Sequence, residues 1–412
     1  MTPPTPAPAS PFSPYQKFVV GLLAFLQFAV IMDFMIMAPL GALIMPALAI
    51  TPKQFGLVVS AYAFSAGVSG FVTAGFADRF DRKKILMFFY AGFLVGTLWC
   101  GLAPTFELLL AARIVTGLFG GVIGSVVLAI ATDLFDVRQR GRVMGVIQTA
   151  FAASQVLGLP AGMFLSNHWN WHAPFIVLAA LGTSGLAVIW LKLAPVDAHL
   201  GKPQEHSPFM HLWHTIAEPR HLLAFLTVTL LATGAYMLMP FGSAFLVHNL
   251  GIELAHLPTI YFFTGICTIV FGPLIGKAAD QFGRFRVFLF GSVLSIAVVI
   301  LYTHLGITSL PVVVLVNVTM FVGIFSRMVP FQALVTQVPE ATKRGAFNAI
   351  SASIQQVSGG IASVVAGHIV TQAADGRIEH FPTVGYVVVG TTLLAIGLVW
   401  NIQRQVHAST PA

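Results

Sequence analysis

Apolar runs of about 20 residues recur along the whole chain, divided by short polar turns, and this repetition limits what the chain can become. A helix rises 1.5 Å per residue, so each run is long enough to cross roughly 30 Å of hydrocarbon. In lipid every backbone N–H and C=O must be satisfied by the protein itself, which leaves helices or closed barrels. Barrel strands are shorter and alternate in polarity, so these runs predict an all-α membrane protein of twelve helices. Spans are expected at about 17–45, 54–77, 85–103, 106–133, 142–166 and 171–193, then at about 221–248, 256–278, 287–304, 311–337, 345–371 and 382–402. Only 8% of the residues are charged, too few to clothe a soluble surface, which ordinarily carries about 25%.

The few charges are themselves patterned. The densest run, AGFADRFDRKK from Ala74 to Lys84, has an echo in GKAADQFGRFR from Gly276 to Arg286, and Asp280 stands 202 residues after Asp78. MIMAPLGA (Met35–Ala42) is matched by MLMPFGSA (Met237–Ala244), pairing Pro39 with Pro240 and Gly41 with Gly242 at an offset of 201. Arg140-Gly141 and Arg344-Gly345 repeat at 204. One unit of six spans is therefore written twice, in parallel, giving two pseudo-symmetric halves. The expected divisions are a Pro-rich tail (1–16), an N-terminal half (17–193), a linker (194–220), a C-terminal half (221–402) and a short tail (403–412).

Twelve spans return both termini to one side. With the termini in the cytoplasm, seventeen Lys and Arg fall inside and only Lys53 and Arg377 outside, as the positive-inside rule requires. The remaining two, Arg113 and Arg327, fall within spans. The net charge of +7 is thus topological, and no nucleic-acid partner is expected. The N-terminus lacks the basic and apolar regions of a cleavable signal. Cys100 and Cys267 sit inside apolar runs and are expected as core residues. His199, His206, His211 and His214 crowd the linker but form no helical i, i+4 pair and have no Cys beside them, so no metal is expected.

On these residues the chain resembles the major facilitator superfamily of transporters over essentially its whole length. The signature loop between spans two and three in that family, G-x-L-A-D-R-x-G-R-K, is met here by Asp78, Arg79, Arg82 and Lys83, with Ala74 and Asp81 replacing its glycines. The second copy keeps Gly276, Asp280, Gly283 and Arg284. Arg113 with Gly117, Gly120 and Gly121 resembles the fourth-span motif. Gly158, Pro160 and Gly162, in GLPAG, resemble the fifth-span motif of antiporters, although Leu159 interrupts its Gly-Pro pair. The resemblance implies a cytoplasmic gate built from Asp78, Arg79, Arg82 and Lys83 with Asp133 or Asp136, and from Asp280, Arg284 and Glu340 in the second half.

Only Asp33, Arg113 and Arg327 carry formal charge well inside the spans. Charge at mid-membrane costs roughly 3 kcal/mol or more, which makes each a functional candidate. Counted along their helices, Asp33 and Arg113 reach a similar depth, so they are expected to face each other, Asp33 carrying a coupling proton and Arg113 modulating it. Arg327 lies deeper and lacks an acidic neighbour in its half. It is a candidate for substrate contact together with Gln332, Asn348, Gln355 and Gln356, and with Gln27, Gln148 and Gln155 in the first half.

The expected function is proton-coupled secondary transport, with efflux of small molecules such as drugs or sugars as the first reading and uptake of an organic anion as the alternative. A receptor or scramblase on the same scaffold is the alternative of another class. No catalytic constellation and no GxxxxGK phosphate loop is present, so neither an enzyme nor ATP-driven pumping is expected, and no cofactor. The expected setting is a bacterial inner membrane, as a monomer.

Overall fold

A computed structural model describes residues 12–73, 79–197, 200, 215–340 and 343–408. Among them are twelve helices long and apolar enough to cross a membrane. Spans one to six run over Pro14–Ile36, Pro52–Thr73, Arg82–Cys100, Phe106–Leu134, Arg138–His168 and Ala173–Lys192. Spans seven to twelve run over Pro219–His248, Leu254–Phe282, Arg284–Thr303, Leu310–Val335, Arg344–Ile369 and Phe381–Val406. Both ends of the described chain lie on one face, called here the terminal face, and the loops after the odd-numbered spans lie on the opposite face. Large apolar side chains such as Phe88, Trp190 and Leu394 remain more than 60% exposed around the outside, as lipid-facing groups do in a protein whose solvent is hydrocarbon.

The ends differ from expectation for local reasons. The first helix begins at Pro14, inside the expected tail. Ser13 caps it by accepting from the Gln16 N–H while the Gln16 side chain accepts from the Ser13 N–H, a capping box with proline at the first turn. The last helix continues to Ala408, because NIQRQVHA is polar but contains neither glycine nor proline to stop it.

Three spans are interrupted, each at a proline. The first breaks after Ile36 and resumes at Gly41, and the seventh narrows to a 3-10 turn at Met239–Phe241. These are the two copies of the repeated Pro-x-Gly segment, where proline lacks the N–H that helix continuation needs. In the fifth span a π turn, Ser154–Gly158, precedes Pro160, and the Leu159 N–H reaches back to the Ser154 carbonyl.

The two broken segments meet at the opposite face. The Ser243 hydroxyl donates to the Ala38 carbonyl at 2.9 Å and accepts from the Ala42 N–H at 3.3 Å. Ser243 is the repeat equivalent of Ala42, so the pseudo-twofold axis runs through this contact. The Asn167 amide donates to the Leu254 carbonyl nearby. Asn249 exchanges two hydrogen bonds with the Ile378 backbone, fastening the small hairpin of Thr371–Gln372 and Ile378–Glu379 over the end of span seven. Span two packs along span eleven. A Cβ on Gly56 would stand 2.8 Å from the Ser363 carbonyl oxygen, and one on Gly67 2.8 Å from Val357. The hydrogen bonds between halves among the described residues lie at the opposite face or mid-span, so that face is sealed.

Candidate functional site

Span four starts from a Thr105 cap on Leu108, and Arg113 follows two turns in. Its Nη1 donates to Asp33 Oδ2 at 2.8 Å, and the Thr97 hydroxyl donates to Asp33 Oδ1 at 3.0 Å. Asp33 is 0% exposed and Arg113 1%. The guanidinium lies 4.6 Å from the Tyr62 ring centroid, a cation–π contact strengthened by the burial of both groups. One charge from each of spans one and four, a hydroxyl from span three and a ring from span two thus form one buried cluster.

Glycine allows the helices to approach closely enough. A Cβ on Gly117 would overlap the Ser65 hydroxyl and the Tyr62 carbonyl, and one on Gly121 would stand 2.5 Å from the Ala66 Cα. Between spans three and four a Cβ on Gly96 would stand 2.6 Å from the Thr116 hydroxyl oxygen, which brings neighbouring Thr97 to the carboxylate. Gly158 and Gly162 face Met32 and Ile36 in the same way, seating span five beside Asp33.

From this cluster a line of rings crosses to the second half. Phe34 lies 5.2 Å from Tyr62 and 5.9 Å from Tyr236 by ring centroids, and the Tyr236 hydroxyl donates to Gln356 Oε1 at 3.0 Å. A second crossing joins the π turn to span eight, where Thr268 donates to Gln155 Oε1 at 3.1 Å. Gln27 points its buried Oε1 at no hydrogen-bond partner. Gln148, Gln332, Asn348 and Gln355 are exposed, so burial draws only Gln27, Gln155 and Gln356 of the expected amides into the interior. Thr97, Tyr62, Tyr236 and Thr268 went unnoticed in the sequence. Their one available signal is a hydroxyl in mid-span, which in hydrocarbon requires a partner.

Arg327 is 8% exposed. Its Nε and Nη2 have no hydrogen-bond partner, and no ion pair reaches it among the described residues.

The sequence matches the Major Facilitator Superfamily over residues 23–363 and again over 224–410, so the pattern covers nearly the whole chain. The chain belongs to the major facilitator superfamily. An uncharacterized MFS-type transporter of Bacillus subtilis, YceJ, is 24% identical over 94% of this chain and 99% of its own length. Multidrug resistance protein 3 of the same organism is 28% identical over 33% of this chain and 27% of that protein. In fold the chain is similar to a bacterial homolog of the human lysosomal transporter Spinster in an inward-facing and occupied conformation. The TM-score is 0.73 at 16% identity, covering 96% of this chain and 98% of that one. The nucleoside transporter NupG gives 0.74 at 14% identity, covering 94% and 99%.

The superfamily loop between spans two and three meets the expected gate in one contact and departs from it in others. Arg82 Nε meets Asp133 Oδ2 at 3.2 Å within the first half, one of the two acids expected for it. Lys83 does not turn to Asp133 or Asp136. Its ammonium donates to the Trp190 carbonyl at 3.0 Å, a helix C-terminus that attracts a cation. Asp136 precedes the fifth-span helix without a side-chain cap bond, and Arg79 is exposed. Asp78 and Ala74 lie outside the described residues, as do the four linker histidines. Asp81, which stands where the superfamily has glycine, caps span three through the Lys83 N–H at 2.8 Å and also accepts from the Val196 N–H at 3.0 Å. The departure from the family pattern thus ties the loop to the start of the linker.

In the second half Arg284 does not pair with Asp280 or Glu340. It donates to the Ala333 carbonyl at 3.1 Å, near the C-terminal end of span ten. Asp280 is exposed, and Glu340 stands 4.0 Å from Lys343. The strong pair on this side is one the sequence did not suggest, Lys343 with Glu218 at 2.8 Å.

That bond holds the Glu218 carboxyl below its ordinary range and the Lys343 ammonium above its own. A lowered carboxyl contributes stability that is complete above about pH 4.5 and is lost as the pH falls through the lowered folded value. The raised ammonium contributes below about pH 10 and loses its share as the pH rises further. Lys343→Met is therefore expected to lower the unfolding temperature in detergent at pH 7, with the gap to wild type closing as the pH drops below about 4. A gap unchanged at acid pH would mean that the ion pair is not its source.

Proposed function

We propose that this chain is a proton-coupled secondary active transporter that exports small molecules by alternating access. In this reading Asp33 carries the coupling proton and Arg113 modulates it. The observation that carries the proposal is the enclosed Asp33–Arg113 pair, the sole acid buried in mid-span among the described residues, bound to a cation on another helix. Protonating Asp33 replaces an ion pair by a neutral group beside a charge. The guanidinium then loses its main partner, and spans one and four lose what holds them in register. Because Tyr62, Phe34 and Tyr236 continue the contact into the second half, that change is positioned to be felt where the halves meet.

The positive-inside count supports placing the terminal face in the cytoplasm of a bacterium, and the sealed opposite face supports reading this as the inward-facing state; in this reading the carrier works as a monomer. The Arg82–Asp133, Asp280, Arg284 and Glu340 region would rearrange as the terminal face closes. Partial similarity to a multidrug resistance protein supports efflux. Arg327 favours the second reading, an uptake carrier for an organic anion, which differs in direction.

Purified protein in liposomes with an imposed pH gradient tests the proposal against a panel of neutral, cationic and anionic solutes. Solute movement that collapses with a protonophore is expected. Ligand binding with no gradient-driven movement would instead favour a receptor or scramblase.

The opposite-face seal gives a separate expectation. Ser243→Ala removes two hydrogen bonds between halves, together worth roughly 1–2 kcal/mol, and this is expected to shift the population toward the outward-open state by about 5–30-fold. Distances between spin labels near Ala47 and His248 should lengthen in the variant. An unchanged distance distribution would remove Ser243 from the gate.

A further inference from the structure

Among the described residues, the second half contains one buried charge that no partner answers. Arg327 sits eight residues before the terminal-face end of span ten, about 12 Å inside by the helical rise. The acids of residues 221–402 are Glu253, Asp280, Glu340, Asp375 and Glu379. All lie in loops or at helix ends, whereas the first half answers Arg113 with Asp33.

Two ordinary fates for such an arginine are excluded by geometry. A snorkelling side chain would place its head in water, but Arg327 is 8% exposed. An arginine serving as a helix brace would donate to carbonyls, but Nε and Nη2 have no acceptor. These two nitrogens form one edge of the planar guanidinium and present two parallel N–H bonds. That fork matches the two oxygens of a carboxylate, whereas a spherical anion answers it at a single point.

The neighbouring helix supplies a second orphan. The backbones of spans nine and ten touch through glycine, since a Cβ on Gly291 would stand 2.5 Å from Ser326 and 3.0 Å from the Arg327 nitrogen. One turn away, Gly323 faces Ser295, whose buried hydroxyl also lacks a partner. A buried polar group without a partner is costly, and here an unpaired cation and an unpaired hydroxyl occupy adjacent turns of two packed helices.

We propose that the unpaired Nε–Nη2 edge of Arg327 is the seat of a carboxylate on the transported substrate, with Ser295, which faces the adjacent turn of span ten, as an additional donor. This rests on the transporter reading and narrows its substrate class to small organic acids.

Binding to the full chain in detergent is measured by thermal unfolding at constant ionic strength. Acetate and benzoate are each compared with their own amide and with chloride. Wild type is expected to be stabilised by a carboxylate and not by its amide or by chloride. Arg327→Lys, which keeps the charge but loses the fork, is expected to weaken carboxylate binding by roughly tenfold or more, and Arg327→Gln to abolish it. Arg327→Gln is also expected to fold with unchanged or higher ligand-free stability, because it removes an unpaired buried charge. The proposal is overturned if neither carboxylate stabilises wild type, if amide or chloride does so equally, or if Arg327→Gln responds like wild type. Failure of transport is separable. Gradient-driven movement of non-acids that is unaffected by Arg327→Gln sinks this site alone, while Arg327-dependent benzoate binding with no transport of any solute sinks the carrier reading.

Discussion

Replacing Asp33 by Asn is expected to reduce pH-gradient-driven transport to background and to lower stability by roughly 3–5 kcal/mol, because it leaves the Arg113 charge buried without its partner. The two effects have separate origins and separate controls. A double variant, Asp33→Asn with Arg113→Gln, removes both charges and leaves two amides able to hydrogen-bond each other. Its unfolding temperature in detergent should recover most of the loss, since well-matched neutral groups can replace a buried ion pair at little cost. Transport should not recover, since an amide cannot carry the proton. If the double variant regains proton-driven transport along with its stability, the pair is a structural fastener and the coupling group lies elsewhere. Asp33→Asn alone transporting at a normal rate would lead to the same conclusion directly.

Gly117→Val is expected to destabilise the protein by about 3 kcal/mol or more, at the upper end of overpacking costs. Most small-to-large changes are relieved by a side chain moving aside, but here the obstacle includes the Tyr62 carbonyl and Cα, with the latter 2.9 Å from the added Cβ. Spans two and four must separate. Because Arg113 lies one turn from Gly117, separation also draws Tyr62 away from the guanidinium, so coupling should weaken together with stability. Gly145→Ala serves as the control. Nothing lies within 4 Å of a Cβ there, and alanine is the better helix former by about 1 kcal/mol, so unfolding temperatures should match or exceed wild type. Equal losses at both glycines would show that these helices are intolerant of any added side chain, and that the approach of spans two and four does not govern the result.

Depth along a helix follows directly from sequence, and lateral position does not. Counting residues from the span ends was enough to bring Asp33 and Arg113 to one level, and the structure joins them at 2.8 Å. The same counting says nothing about which face of span three meets span four, so Thr97 and Tyr62 were missed. They are set by the rotation of each helix, and that rotation is set by which glycines let backbones touch. The amides illustrate the same limit. Gln155 and Gln355 look equivalent as mid-helix amides, yet one bridges the halves through Thr268 while the other is exposed. The loop charges misled for another reason. Lys83 and Arg284 have long, flexible side chains within reach of several acceptors, and helix-end carbonyls took them in place of the acids.

By itself the sequence determined the membrane setting, the twelve spans, the internal duplication and the three charges that hydrocarbon would not hold without cause. These follow from composition and period, which depend only on the cost of polar groups in lipid. Only the tertiary structure decided that Thr97 and Tyr62 join Asp33 and Arg113, that the two copies of the Pro-x-Gly segment meet at Ser243 to seal one face, and that Arg327 is left with an unpaired edge. Each depends on helix rotation and close approach, which arise from packing many side chains at once and are not written at any single position.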